Sequence, residues 1–287
     1  MIIDFHTHFF PDSIAKKAVT RLSAAEGVQT YTEGTESSLL ESSKRAGVTL
    51  NVYLPVVTKP SQTDGVNRNV IALNEKYADR LNRGYMGPAG IYSFGALHPE
   101  NEDFRQQIDM LKSNGVKGIK LHPLFQNTYF DDIRYMRIVD YACEMDMIIN
   151  VHAGSDLANP TATYSSSAHI LKLMKELRPD RLIVAHMGGW NRWEEKENIL
   201  QMIELGAYMD TSFSLWNPAD PQIFFTPLSV SDFHEYLDLI RPDHVLFGTD
   251  SPWTDQTEAL SVLKAACREM EEYQRITEIN PAKLLGL

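Results

Sequence analysis

A chain of 287 residues is long enough for one large α/β domain whose core needs neither disulfides nor a structural metal. Lys+Arg is 27 against Asp+Glu 38, a formal net charge of -11, which argues against nucleic acid or an anionic membrane surface as partner. It leaves a small anionic substrate open, since a local cation can reverse the field inside one pocket.

In chain order, eight short apolar runs read as strands: Ile2–His8, Thr49–Val57, Ser93–His98, Gly118–His122, Ile148–Ala153, Leu182–Met187, Ala207–Ser212 and Val245–Asp250. Most are nearly continuous in apolar residues, as parallel strands covered on both sides should be. Between them lie amphipathic helices. Phe104, Ile108 and Leu111 share a face, as do Ile170, Leu173, Met174 and Leu177, and then Leu260, Leu263, Cys267 and Met270. Gly47, Gly115 and Gly206 fall where helices should end. Cys143 and Cys267 sit in such helical stretches and read as buried free thiols. No tract is low in complexity and no linker interrupts the pattern, so residues 1–287 are expected to form one domain. Repeated βα units with no G-x-G-x-x-G after any strand favour a closed (β/α)8 TIM barrel over an open doubly wound sheet. No run approaches a membrane span, and Met1 leads straight into Ile2-Ile3-Asp4, so the expected location is the cytosol. A small-molecule substrate is the expected partner, and a homo-oligomer is left open.

Chemistry-bearing residues gather at the strand ends. The first strand reads Ile-Ile-Asp-Phe-His-Thr-His, and strand alternation puts Asp4, His6 and His8 on one face, where two imidazoles can reach one metal. His152 ends the fifth strand, His186 the sixth and Asp250 the eighth, while Lys120 and His122 stand two apart on the fourth. In a barrel the C-terminal strand ends form the rim that carries the active site. Plainer uses remain open for each residue. His6 and His8 can be satisfied rim histidines, His152 and Asp250 strand-end caps, and His186 a cap for the Gly188-Gly189 loop. Lys120 can be half of an ion pair, and His122, before Pro123, can fix its loop. His98 before Pro99 reads as structural, and His169, His234 and His244 as surface or core residues. Phe213, Trp216, Phe224 and Phe225, with Trp190, Trp193 and Trp253, can line an aromatic pocket, although packing of loops on the barrel explains any single ring.

These motifs resemble the amidohydrolase superfamily. Ile-Asp-Phe-His-Thr-His near Met1, Gly-Ile-Lys-Leu-His-Pro at 118–123, Phe-Gly-Thr-Asp-Ser-Pro at 247–252 and the closing Ile-Asn-Pro-Ala-Lys-Leu-Leu-Gly-Leu are similar to its amidohydrolase-2 branch. That branch holds metal-dependent barrel hydrolases and relatives of aminocarboxymuconate-semialdehyde decarboxylase. The resemblance implies one divalent metal held by His6, His8, His152 and Asp250. Three imidazoles and a carboxylate favour zinc, while manganese, iron or cobalt suit similar ligands. It further implies catalytic roles for Asp250 and His186, with Asp4 behind a ligand. Lys120 and His122 are implied on the substrate, with Arg192 as another candidate for a substrate carboxylate. Lys120 is also where binuclear relatives carry a bridging group. Resorcylate-type decarboxylases tend to have Glu where this chain has His6, a departure from that subgroup. The expected reaction is hydrolysis of a small amide, lactone or ester. Non-oxidative decarboxylation is the alternative, and a barrel that binds metal or ligand without catalysis is a third reading.

Overall fold

Runs of apolar residues too short for helices form the strands. In the computed structural model, which describes residues 1–82, 88–155, 159–215 and 226–287, they are β1 (Ile3–Thr7), β2 (Leu50–Tyr53), β3 (Gly90–Ser93), β4 (Gly95–Ala96), β5 (Gly118–Leu121), β6 (Ile148–Val151), β7 (Leu182–Val184), β8 (Tyr208–Asp210) and β9 (Val245–Leu246). All pair in parallel, β1 to β3 in one ladder and β4 to β9 in another. β3 and β4 are two parts of one strand broken at Phe94, whose N–H still reaches Tyr53 O at 3.0 Å. The ring closes between β1 and β9. There Phe5 N–H donates to Phe247 O (2.7 Å), Asp250 N–H to His6 O (2.8 Å) and His8 N–H to Ser251 O (2.6 Å). The chain is therefore the expected single-domain (β/α)8 TIM barrel. Its third strand starts earlier than the sequence suggested, at Gly90 rather than Ser93.

Side chains divide the core into two layers. Ile3, Phe5, Leu50, Val52, Phe94, Ile148, Ile183 and Leu246 pack together in one cluster. Their strand neighbours Ile119, Leu121, Ile149, Val151, Leu182 and Val184 pack with the surrounding helices in another. Period-two alternation produces this split, and it turns Lys120 and Asn150 the opposite way from Ile119 and Ile149.

β1 breaks the alternation. Its register with β2 slips between Asp4 and Thr7, so Asp4 pairs with Asn51 but Thr7 with Tyr53. An extra residue in one strand re-aims the side chains after it. Asp4 therefore does not share a face with His6 and His8. It is fully buried against Thr249, Gln256 and the Asn51–Ser43 pair on the helix side, while His6 turns to the barrel's upper interior.

The helical stripes are mostly as expected. Phe104, Ile108, Leu111, Ile170, Leu173, Met174, Leu260 and Leu263 are buried. Met270 is not, being 49 % exposed. The helix Gln256–Ala266 stops at Cys267, whose backbone is extended, so Met270 begins a new helix with a new phase. Cys143 and Cys267 are free and half-buried rather than fully buried. Gly47, Gly115 and Gly206 all have the positive φ expected at helix ends. No helix among the described residues is long and apolar enough to cross a membrane.

Candidate metal centre

His6 and His8 are carried by β1 and the residue just beyond it, and Asp250 by the loop after β9, so the site lies across the seam where the ring closes. His6 Nε2 is 3.2 Å from His8 Nε2 and 3.6 Å from Asp250 Oδ1, and His8 Nε2 is 3.0 Å from the same oxygen. Three donor atoms this close share one small space, and His6, His8 and Asp250 form one of two groups among the described residues that could hold a metal ion. Asp250 has φ 64, an uncommon conformation for a residue with a side chain, and its N–H is tied to His6 O. Burial alone would raise the Asp250 pKa, but His6, the hydrogen bond with His8, and His186 hold it well below the usual carboxylate range. Burial, with Lys120 beside it, pushes His6 down to about 3, which keeps its imidazole neutral.

The fourth expected ligand, His152, falls in neither group and lies next to His186. Its Nδ1 is 3.1 Å from His186 Nε2, and its ring stacks on His122 at 4.2 Å. His152 Nε2 is buried and has no hydrogen-bond partner among the described residues. A buried, orphaned imidazole nitrogen costs energy unless something binds it, and a divalent cation would. The donor set thus fits a metal: His6, His8 and Asp250 already converge, and His152 has one lone pair unspent.

Asp210, at the end of β8, was not anticipated as part of the site. It is fully buried. Oδ2 lies 3.0 Å from His6 Nδ1 and accepts from Asn150 Nδ2 at 3.4 Å. Oδ1 accepts from His186 N and Ser212 N, both at 3.1 Å, and from the Ser212 hydroxyl. Asp210 also belongs to the second potential metal group, with His6 and His186. Its oxygens are already spent on five donors, so the first group suits an added cation better. Asp210 thereby takes the place behind a ligand ring that had been assigned to Asp4. Asp4 reaches only the His6 backbone N–H, at 3.3 Å, and otherwise anchors the loop before Asp250 through Thr249 N and Oγ1. The signal for Asp210 was an ionisable residue closing an apolar strand in Tyr-Met-Asp-Thr-Ser, a string that also reads as turn composition.

Lys120 is 2 % exposed, so the ion pair on a wetted surface is excluded. Its Nζ donates to Asn150 Oδ1 at 2.8 Å and reaches His6 Nε2 at 3.3 Å, and burial pushes its pKa down to about 8. His122 is sandwiched between Phe125 and His152 with near-parallel rings, so it forms a packing wall for His152. Arg192 is engaged by Glu195 at 2.6 Å. His98, His234 and His244 meet backbone groups, and His169 pairs with Asp131, as structural residues do. Trp190, Phe213 and Trp253 pack with Val28, and Trp193 Nε1 donates to Thr226 O, so these rings fasten loops. Trp216, Phe224 and Phe225 lie outside the described residues.

Solved structures similar to this chain share the fold at low identity. A 2,6-dihydroxybenzoate decarboxylase complexed with 2,6-dihydroxybenzoate is 14 % identical with a TM-score of 0.71, over 100 % of this chain and 99 % of that one. A 5-carboxyvanillate decarboxylase from Novosphingobium aromaticivorans, with bound manganese, is 13 % identical with a TM-score of 0.70, over 100 % and 97 %. A probable 2-pyrone-4,6-dicarboxylic acid hydrolase from Acinetobacter baumannii, with citric acid bound, is 15 % identical with a TM-score of 0.65, over 100 % and 99 %. No curated protein matches the chain in sequence. The amidohydrolase-2 family, a metal-dependent enzyme family, matches residues 3–287, and with the barrel and its His–Asp cluster described, the chain belongs to that family.

Proposed function

We propose that the chain is a metal-dependent hydrolase of a small, carboxylate-bearing amide, ester or lactone, with zinc as its metal. The observation that carries this reading is the Asp250 carboxylate. It is held ionised, 18 % exposed, and within 3.0–3.6 Å of the two β1 imidazoles. His6, His8, Asp250 and His152 would hold the ion, which as a Lewis acid would acidify water and polarise a carbonyl oxygen. Asp250 takes the proton of the attacking water and returns it to the leaving group, as a general base and then acid. The buried Lys120 ammonium is the cation that holds a substrate carboxylate next to the donor cluster, supplying charge where water is excluded. His186 offers one basic nitrogen, Nε2, which His152 holds at 3.1 Å. It handles protons where that bond opens and braces His152 where it does not.

Decarboxylation is the second reading, and Lys120 is the observation that favours it. A cation buried beside the metal-binding atoms would grip the departing carboxylate as readily as a spectator one. Two of the similar structures above are decarboxylases and one is a probable hydrolase, so the chemistry of relatives points both ways.

The test has two parts. Elemental analysis should find about one equivalent of metal in the purified protein and almost none in the His6→Ala/His8→Ala double variant. Carboxylate-bearing amides and lactones are then assayed beside aromatic carboxylates. With a substrate that is turned over, Asp250→Asn should lower kcat by about 10²–10⁴-fold, the range of general acid–base catalysis. Carbon dioxide release without hydrolysis would establish the second reading, and a folded protein without metal affinity would end both.

A further inference from the structure

Asp210 reaches His6, Asn150, His186 and Ser212 without being one of the residues that would bind the metal. From its contacts the proton on the rings of His6, His186 and His152 can be worked out, because several partners can only donate or only accept. A carboxylate so surrounded only accepts: Oδ1 of Asp210 takes the backbone N–H groups of His186 and Ser212, and Oδ2 takes an N–H of Asn150 Nδ2. His6 Nδ1, 3.0 Å from Asp210 Oδ2, must therefore carry the hydrogen. The other end of the ring agrees, since the Lys120 ammonium, 3.3 Å from His6 Nε2, only donates. His6 Nε2 is left as a bare lone pair.

The same reasoning runs on through Ser212. Its hydroxyl has one hydrogen and donates it to Asp210 Oδ1. Toward His186 Nδ1, at 2.8 Å, the Ser212 oxygen can then only accept, and so can the Ser212 carbonyl, at 3.0 Å from the same nitrogen. His186 is thus protonated on Nδ1 and bare on Nε2. His152 Nδ1, 3.1 Å from that bare nitrogen, must donate to it. The last nitrogen in the series, His152 Nε2, is buried and has no partner among the described residues.

We propose that Asp210, acting with Ser212, is the positioning residue of this site: it fixes the tautomers of His6 and, through His186, of His152, so that both present a bare Nε2 to one metal ion. This rests on the metal-centre reading above but not on the reaction. Asp210 also holds the backbone on which His186 turns. His186 has φ 57, outside the usual range for a side-chain-bearing residue, and Asp210 Oδ1 accepts its N–H at 3.1 Å.

The tautomers are read by long-range ¹H–¹⁵N correlation spectra of ¹⁵N-histidine-labelled, metal-free protein at neutral pH, where Lys120 is still an ammonium. In the wild type, His6, His186 and His152 should all be protonated on Nδ1. Protonation of His6 or His152 on Nε2 would overturn the proposal without any variant having to fold. Asp210→Asn is the second arm. Its amide oxygen can keep the three donors at the Oδ1 position, which turns the NH2 toward His6 Nδ1. His6 should then switch to the Nε2–H form, and zinc affinity, measured by chelator competition, should fall about 10–100-fold. Unchanged affinity in a folded Asp210→Asn protein would refute the positioning role. A failed hydrolysis assay bears on the proposed reaction alone, because neither arm uses substrate.

Discussion

A Cβ added at Gly248 would stand 2.8 Å from the His6 Cβ and 3.2 Å from that of Ser212. The end of β9 thus approaches β1 and β8 more closely than any residue with a side chain would permit. Gly248→Ala should push His6 away from Asp210. The expected loss is about 1–3 kcal/mol of stability, the range for overpacking a filled core. Urea unfolding of the metal-free protein would measure it, and the variant should also bind zinc more weakly than wild type. The two cysteines give a different residue-scale expectation. Burial pushes the thiol of Cys143 up to about 11 and that of Cys267 up to about 12. Only the thiolate attacks, so alkylation by iodoacetamide near neutral pH should be at least about tenfold slower than for free cysteine, and should speed up with rising pH. Rapid labelling of either at neutral pH would contradict that assignment.

At the scale of elements, β1 is where reading by alternation fails. A period of two holds only while register holds, and the slip between Asp4 and Thr7 sends Asp4 to the helix side and His6 inward. Nothing in Ile-Ile-Asp-Phe-His-Thr-His announces it, because every residue in the string suits a regular strand. What stabilises the slip is polar. Gln256, fully buried at the start of its helix, donates to Asp4 Oδ2 at 2.7 Å and to Asn51 Oδ1 at 2.9 Å, and accepts from Ser43 at 3.2 Å. Gln256→Leu would strand those partners away from water. We expect a loss of about 1–3 kcal/mol, the cost of an unsatisfied buried polar group. Denaturant midpoints would show it, and a variant as stable as wild type would mean that the network holds without Gln256. The helices were easier to read, since a 3.6-residue stripe survives small errors in its ends. The Met270 phase was lost only because the helix end at Cys267 leaves no mark in the pattern.

At the scale of the molecule, the barrel was legible because eight buried parallel strands are nearly continuous apolar runs, each followed by an amphipathic helix. The site was legible in part, for the same reason: His6, His152, His186 and Asp250 are polar interruptions at the ends of such runs. Asp210 escaped because it closes a strand in the company of Thr211 and Ser212. Lys120 was legible as a polar residue in the fourth strand, but which way it turns and what it touches depend on strands far apart in sequence. That separation has its own consequence at the seam. His6 and His8 leave the ribosome more than two hundred residues ahead of Asp250. Asp210 too follows them by some two hundred residues, so over that stretch of synthesis His6 lacks the carboxylate that orients it and both histidines lack the one that completes their cluster. Metal capture is therefore a record of ring closure: an ion seated by His6, His8 and Asp250 certifies that the first strand has found the last.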